Sequence, residues 1–228
     1  MAIRGILFDA AGVFYDRPES TRSYVARLLH EKGFSAEVPA RDQLRQQALR
    51  SLANKGRVSP SEYWDRVLVM MGVASPVERE RLVVEINAYS DQVQAIPGGR
   101  EALAVLKQRG FVLGIVTDTI YPLERKMRWL EQVGVAEFID VVSCSTVVGA
   151  HKPDPAIYLD AMQQAGLTPD ESAFVGHAAD ELEGARRAGL ATVAVLYESG
   201  ARADHYAKSL VDLLNIPIFA TAHILRGE

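Results

Sequence analysis

The run Ile6-Leu7-Phe8 is apolar at every position and is closed by Asp9, Ala10, Ala11 and Gly12, the pattern of a buried parallel strand that stops abruptly. From Ser20 to about Val93 the period changes to that of helices, and no strand pattern interrupts it. Tyr24, Val25, Leu28 and Leu29 predict a helix from about Thr21 to Lys32, with Gly33 as its stop. A second helix is expected from about Asp42 to Asn54, ending at Lys55-Gly56. A third opens at Ser59-Pro60-Ser61-Glu62, where Ser59 caps, Pro60 suits the first turn and Glu62 completes a capping box. It should end near Gly72. A fourth follows Ser75-Pro76 and carries Leu82, Val83 and Ile86 on one face.

After Ile96-Pro97-Gly98-Gly99 strands and helices alternate. Helix is expected from Arg100 to Arg109, strand from Phe111 to Val116, helix from about Pro122 to Gln132, and strand from Ile139 to Ser143. Helix from about Ala156 to Ala165, strand from Ala173 to Val175, helix from about Leu182 to Ala188 and strand from Ala191 to Leu196 complete the series. Such alternation predicts an α/β fold with a Rossmann-like parallel sheet and right-handed crossovers. The expected domains are a core of residues 1–15 and 96–228 and a helical cap of residues 16–95.

Composition narrows the function. With 228 residues, 48% of them hydrophobic, 24% charged and a net charge of -4, the chain is an ordinary globular protein without a basic footprint. Nucleic acid is therefore not an expected partner. The single cysteine, Cys144, allows no internal disulfide and no thiolate metal site, and it reads as a core residue. No apolar run is long enough for a bilayer, and the first strand begins too early to leave room for a signal peptide, so a cytoplasmic location without membrane attachment is expected.

The candidate chemistry lies where the predicted strands end. A parallel sheet brings Asp9, Thr117, the loop carrying Lys152, and the His177 to Glu181 group to one edge, the edge at which open α/β sheets bind ligands. Asp9 is a carboxylate able to attack phosphorus or an activated carbon, Thr117 offers a hydroxyl, and Lys152 a point charge. With the backbone N–H groups of Ala10, Ala11 and Gly12 they make a cradle for a phosphate-like group.

Order and spacing of these stretches resemble the haloacid dehalogenase-like hydrolase superfamily from Ile3 to about Leu196, including Lys152-Pro153-Asp154-Pro155-Ala156-Ile157-Tyr158 and Gly184-Ala185-Arg186-Arg187-Ala188-Gly189. The resemblance implies a helical cap inserted after the first strand, Asp9 as a covalent nucleophile assisted by Thr117 and Lys152, and Asp118 close to the substrate. It also implies a Mg²⁺ site and no organic cofactor. Two positions depart from the pattern. Phosphatases of the superfamily carry an acid-base aspartate two residues after the nucleophile, where this chain has Ala11. The acid expected after Val175-Gly176 to bind Mg²⁺ is His177, so the metal is doubtful and would rest on Asp9 with Asp180 or Glu181.

Asp9-Ala10-Ala11-Gly12 looks like the first motif of phosphonoacetaldehyde hydrolases, which use a cap lysine. Lys55, with Arg57 beside it, is the nearest candidate for substrate contact from the cap. Three functions are therefore expected as alternatives. The first is a hydrolase of a small phosphorylated or phosphonate metabolite with impaired Mg²⁺-dependent activity. The second is an inactive binding or regulatory protein with a protein partner, and the third a metal-independent dehalogenase.

Overall fold

The computed structural model describes residues 2–221. Strand β1 (Gly5–Phe8) leads through a tight turn to the two-residue β2 (Tyr15–Asp16). Helices α1 (Thr21–Glu31), α2 (Gln43–Asn54), α3 (Pro60–Met70) and α4 (Pro76–Ser90) follow, and β3 (Gln94–Ala95) returns antiparallel to β2. The chain then alternates through α5 (Gly99–Gln108), β4 (Val112–Thr117), α6 (Leu123–Gln132), β5 (Val141–Cys144), the short α7 (Ser145–Val148) and α8 (Pro155–Ala165). It closes with β6 (Ser172–Gly176), α9 (Ala179–Arg187), β7 (Ala191–Val195) and β8 (His205–Ala207).

Six strands form one parallel sheet in the order β5-β4-β1-β6-β7-β8, an α/β Rossmann-like architecture. β1 lies at its centre, which explains why its four residues are all buried. Its side chains alternate between two layers. Ile6 and Phe8 pack with Ala102, Leu103 and Leu106 of α5, whereas Leu7 packs with Ile157 and Tyr158 of α8 and Leu182 of α9. Each large side chain buried this way stabilises the fold by about 1.5–3 kcal/mol.

Three local expectations need correction. The sheet has a sixth strand, β8, which pairs Val193 with His205; three residues at an edge carry no apolar run that would announce them. Helix α9 begins at Ala179 rather than near Leu182, so Asp180 and Glu181 stand in its first turn, where acids favour the helix dipole. Ser59 caps α3 by accepting the Glu62 N–H at 3.2 Å, but the Glu62 carboxylate pairs with Arg66 one turn on, so only half of the capping box forms.

The four-helix insert is fastened to the sheet layer by polar contacts as well as by packing. Tyr121, just after β4, bonds Ser90 Oγ at 2.7 Å through its hydroxyl, which also accepts from Trp64 Nε1 at 3.4 Å. Arg125 of α6 pairs with Asp91 at 2.8 Å, and Trp129 of the same helix donates its Nε1–H to Asp91 Oδ1 at 2.8 Å. No helix among the described residues is long and apolar enough to cross a membrane.

Candidate active site

Strand register builds the site. Phe8 is level with Ile115 on one side and Val175 on the other, so Asp9, Thr117 and His177, one or two residues further along, emerge together at the carboxyl edge. Asp9 still donates its N–H to the Val175 carbonyl at 2.9 Å, which fixes the backbone under its side chain. Beyond it the chain turns sharply. Phe14 N–H returns to the Ala10 carbonyl and Gly12 N–H to the Tyr15 carbonyl, each at 2.9 Å. The amide of Gly12 is therefore spent within the turn, which corrects its expected place in an anion cradle. The amides of Ala10 and Ala11 donate to no backbone carbonyl among the described residues.

Asp9 and Lys152 form a buried ion pair. Nζ of Lys152 donates to Asp9 Oδ1 and reaches Glu181 Oε1 at 2.7 Å, with only 2% of the lysine side chain exposed. Burial alone would lower the Lys152 pKa, but the charges of Asp9, Glu181 and Asp118 outweigh it and hold the ammonium above its usual range. Burial pushes the Glu181 carboxyl up to about 7; the negative charge of Asp9 adds to this and Lys152 opposes it. Asp118 is raised too, by burial, while Lys152 pulls it the other way. Its Oδ1 accepts the Lys152 N–H at 3.1 Å, so it helps to orient the lysine-bearing loop.

On the opposite side of this pair, His177 Nδ1 lies 3.6 Å from Asp9 Oδ2 and 3.9 Å from Glu181 Oε2. One donor atom from each of Asp9, His177 and Glu181 falls within 4.8 Å of the other two. Gly12 makes room for the imidazole. Its φ is +75°, and a Cβ there would come within 2.9 Å of the ring's Cε1 and Nε2. Asp180, named beside Glu181 on the sequence, does not join the group: it is exposed and its Oδ1 accepts the Glu181 N–H.

Three polar atoms at this edge are buried without a hydrogen-bond partner: Thr117 Oγ1, His177 Nδ1 and Glu181 Oε2. Buried polar atoms are normally satisfied, and leaving one unpaired costs about 1–3 kcal/mol. Two of them, on His177 and Glu181, lie in the group around Asp9, and Thr117 stands at the same sheet edge, so this edge holds polar atoms that the fold itself does not satisfy.

The insert meets this edge through α2 and the turn after it. Ser51 Oγ is 3.2 Å from His151 Nε2, and His151 Nδ1 is 2.8 Å from the Lys152 carbonyl, so the loop carrying Lys152 is braced from the insert. Nothing in the spacing of the sequence singles out His151 for this. Gly56, with φ +67°, rests so closely on α7 that a Cβ would stand 2.5 Å from the Thr146 carbonyl oxygen. Lys55 is half-buried and Arg57 exposed; neither side chain forms an ion pair among the described residues, and the lysine bonded to Asp9 is Lys152.

The site is thus a buried carboxylate-lysine pair at the end of the central strand of a parallel α/β sheet, with a helical insert leaving after that strand. Residues 6–195 match the model of the haloacid dehalogenase-like hydrolases, and the chain belongs to that family. A glyceraldehyde 3-phosphate phosphatase from Methanopyrus kandleri is 27% identical over 201 residues, covering 85% of this chain and 84% of its own length. A phosphoglycolate phosphatase from Pseudomonas putida is 26% identical over 210 residues, covering 85% and 70%. Among solved structures, a predicted phosphoglycolate phosphatase from Haemophilus somnus superposes with a TM-score of 0.69 at 17% identity, over 93% of this chain and 97% of that one; this likeness bears on the fold.

Proposed function

We propose that this protein is a phosphate-ester hydrolase acting on a small phosphorylated metabolite, with Asp9 as nucleophile and residues 16–95 as a cap over the site. The observation that carries the reading is the buried Asp9–Lys152 pair at the sheet edge where Thr117 keeps a buried, unpartnered hydroxyl. The phosphatase names of the two curated relatives cited above support the reading of the substrate class.

In this reading Lys152 and the Thr117 hydroxyl hold the phosphoryl oxygens, helped by the Ala10 and Ala11 amides. The Asp9 carboxylate attacks phosphorus, an aspartyl phosphate forms, and the ester oxygen leaves with the bonding electrons. Water then attacks the aspartyl phosphate, releasing inorganic phosphate and restoring Asp9. Ala11 supplies no proton to the leaving oxygen, and such acid-base help is typically worth ~10²–10⁴ in rate. Activated esters should therefore turn over better than alkyl esters.

The donors present suit Mg²⁺ poorly. Mg²⁺ is a hard ion that takes oxygen ligands in near-octahedral geometry. Here Lys152 occupies Asp9 Oδ1 and Glu181 Oε1, and an imidazole stands at the third position. No step above is routed through a metal.

Turnover of a panel of phosphate esters, aryl and alkyl, with and without Mg²⁺, tests the reading. Asp9-dependent release of phosphate from an aryl ester supports it. Binding of phosphate without any turnover would favour the alternative that Ala11 suggests, a binding protein that keeps the cradle, and halide release from a 2-haloacid would favour a dehalogenase.

A further inference from the structure

We infer that Asp9, His177 and Glu181 form a site for a first-row transition-metal dication of the Zn²⁺ type rather than for Mg²⁺. The inference concerns the metal at the proposed active site and does not depend on which ester, if any, is cleaved there.

Three observations carry it. One nitrogen and two carboxylate oxygens, from three residues, lie within 4.8 Å of one another. Lys152 takes the outer oxygens, Asp9 Oδ1 and Glu181 Oε1, which leaves Oδ2 and Oε2 turned to His177 Nδ1 at 3.6 and 3.9 Å. Of these inward atoms, His177 Nδ1 and Glu181 Oε2 are buried and have no partner, an arrangement that a shared ion resolves and that direct contact does not.

Ligand chemistry then selects the ion. Imidazole nitrogen binds zinc, cobalt, nickel and copper well, whereas magnesium and calcium select oxygen. One imidazole and two carboxylates make a three-residue set that leaves further positions open, as in catalytic rather than structural zinc sites. Gly12 supports the same choice, because any Cβ at that position would press on the imidazole that must keep Nδ1 facing the two carboxylates.

The test uses the full chain stripped of metal with a chelator, and Co²⁺ as a spectroscopic probe. Visible absorption reports Co²⁺ binding, calorimetry gives the affinities of Co²⁺, Zn²⁺ and Mg²⁺, and circular dichroism checks that each variant folds. Saturable one-to-one Co²⁺ binding is expected, displaced by Zn²⁺, with Mg²⁺ weaker by roughly 100-fold or more. Both His177→Ala and Glu181→Gln should weaken Co²⁺ at least about tenfold, and His177→Asp should shift preference towards Mg²⁺. Equal affinity for Co²⁺ and Mg²⁺, or Co²⁺ binding that survives loss of both His177 and Glu181 side chains, overturns the inference. Loss of phosphatase activity alone leaves these binding measurements unaffected, so this inference and the functional reading fail separately.

Discussion

Lys152 and Glu181 meet in a 2.7 Å ion pair at the floor of the site, and the same ammonium is bonded to Asp9. One buried cation therefore serves two buried carboxyl groups. Removing it leaves them facing each other without compensation, and breaking a buried pair from one side typically costs about 3–5 kcal/mol. Lys152→Met should lose that much stability at pH 7 in urea unfolding and recover part of it at acid pH, where the carboxyls are neutral. Unchanged stability would mean that the pair contributes nothing to the fold.

Glu181 should also impose a pH dependence on the metal-free protein. Its folded-state pKa of about 7 is above the ordinary 4.5, so between these values the folded state holds a proton that the unfolded state has released. Stability must then fall as pH rises from about 4.5 to about 7, and level off above. Glu181→Gln removes this slope. Urea midpoints measured across that range for both proteins give the comparison, and parallel curves would refute the assignment.

Thr117 offers a cleaner separation of stability from binding. Its hydroxyl is buried without a partner, so Thr117→Val, nearly the same shape, should be neutral or slightly stabilising. Binding of inorganic phosphate should weaken by roughly tenfold, as for a lost hydrogen bond to a charged group. A destabilised variant with unaltered phosphate affinity would show that the hydroxyl supports the fold instead.

Gly12 and His177 are coupled through shape. Gly12→Ala places a Cβ both at φ +75° and 2.9 Å from the imidazole, and a cost of about 1–3 kcal/mol is expected for the backbone together with the clash. In the His177→Ala background the clash disappears and only the backbone part persists. A double-mutant cycle in thermal unfolding therefore yields a positive coupling, while strict additivity would place the ring elsewhere.

Much of this was legible beforehand, for identifiable reasons. The central strand announced itself because a strand buried on both faces has no polar positions, and parallel register then carried Asp9, Thr117 and His177 to one edge. The roles of the two neighbouring acids were not legible, since Asp180 and Glu181 differ only in which way the first turn of α9 points them. β8 is not legible because a three-residue edge strand has too little pattern. The brace from Ser51 through His151 to the Lys152 carbonyl spans residues far apart in sequence, and no local periodicity encodes it.

The account rests on Asp9 as a nucleophile, and trapping its intermediate tests that most directly. Rapid acid quench of the protein during reaction with an aryl phosphate, followed by peptide mass spectrometry, should find a phosphoryl group on the peptide carrying Asp9 and none in Asp9→Asn. Phosphate release that continues at the wild-type rate in Asp9→Asn, with no adduct at that position, would contradict the account.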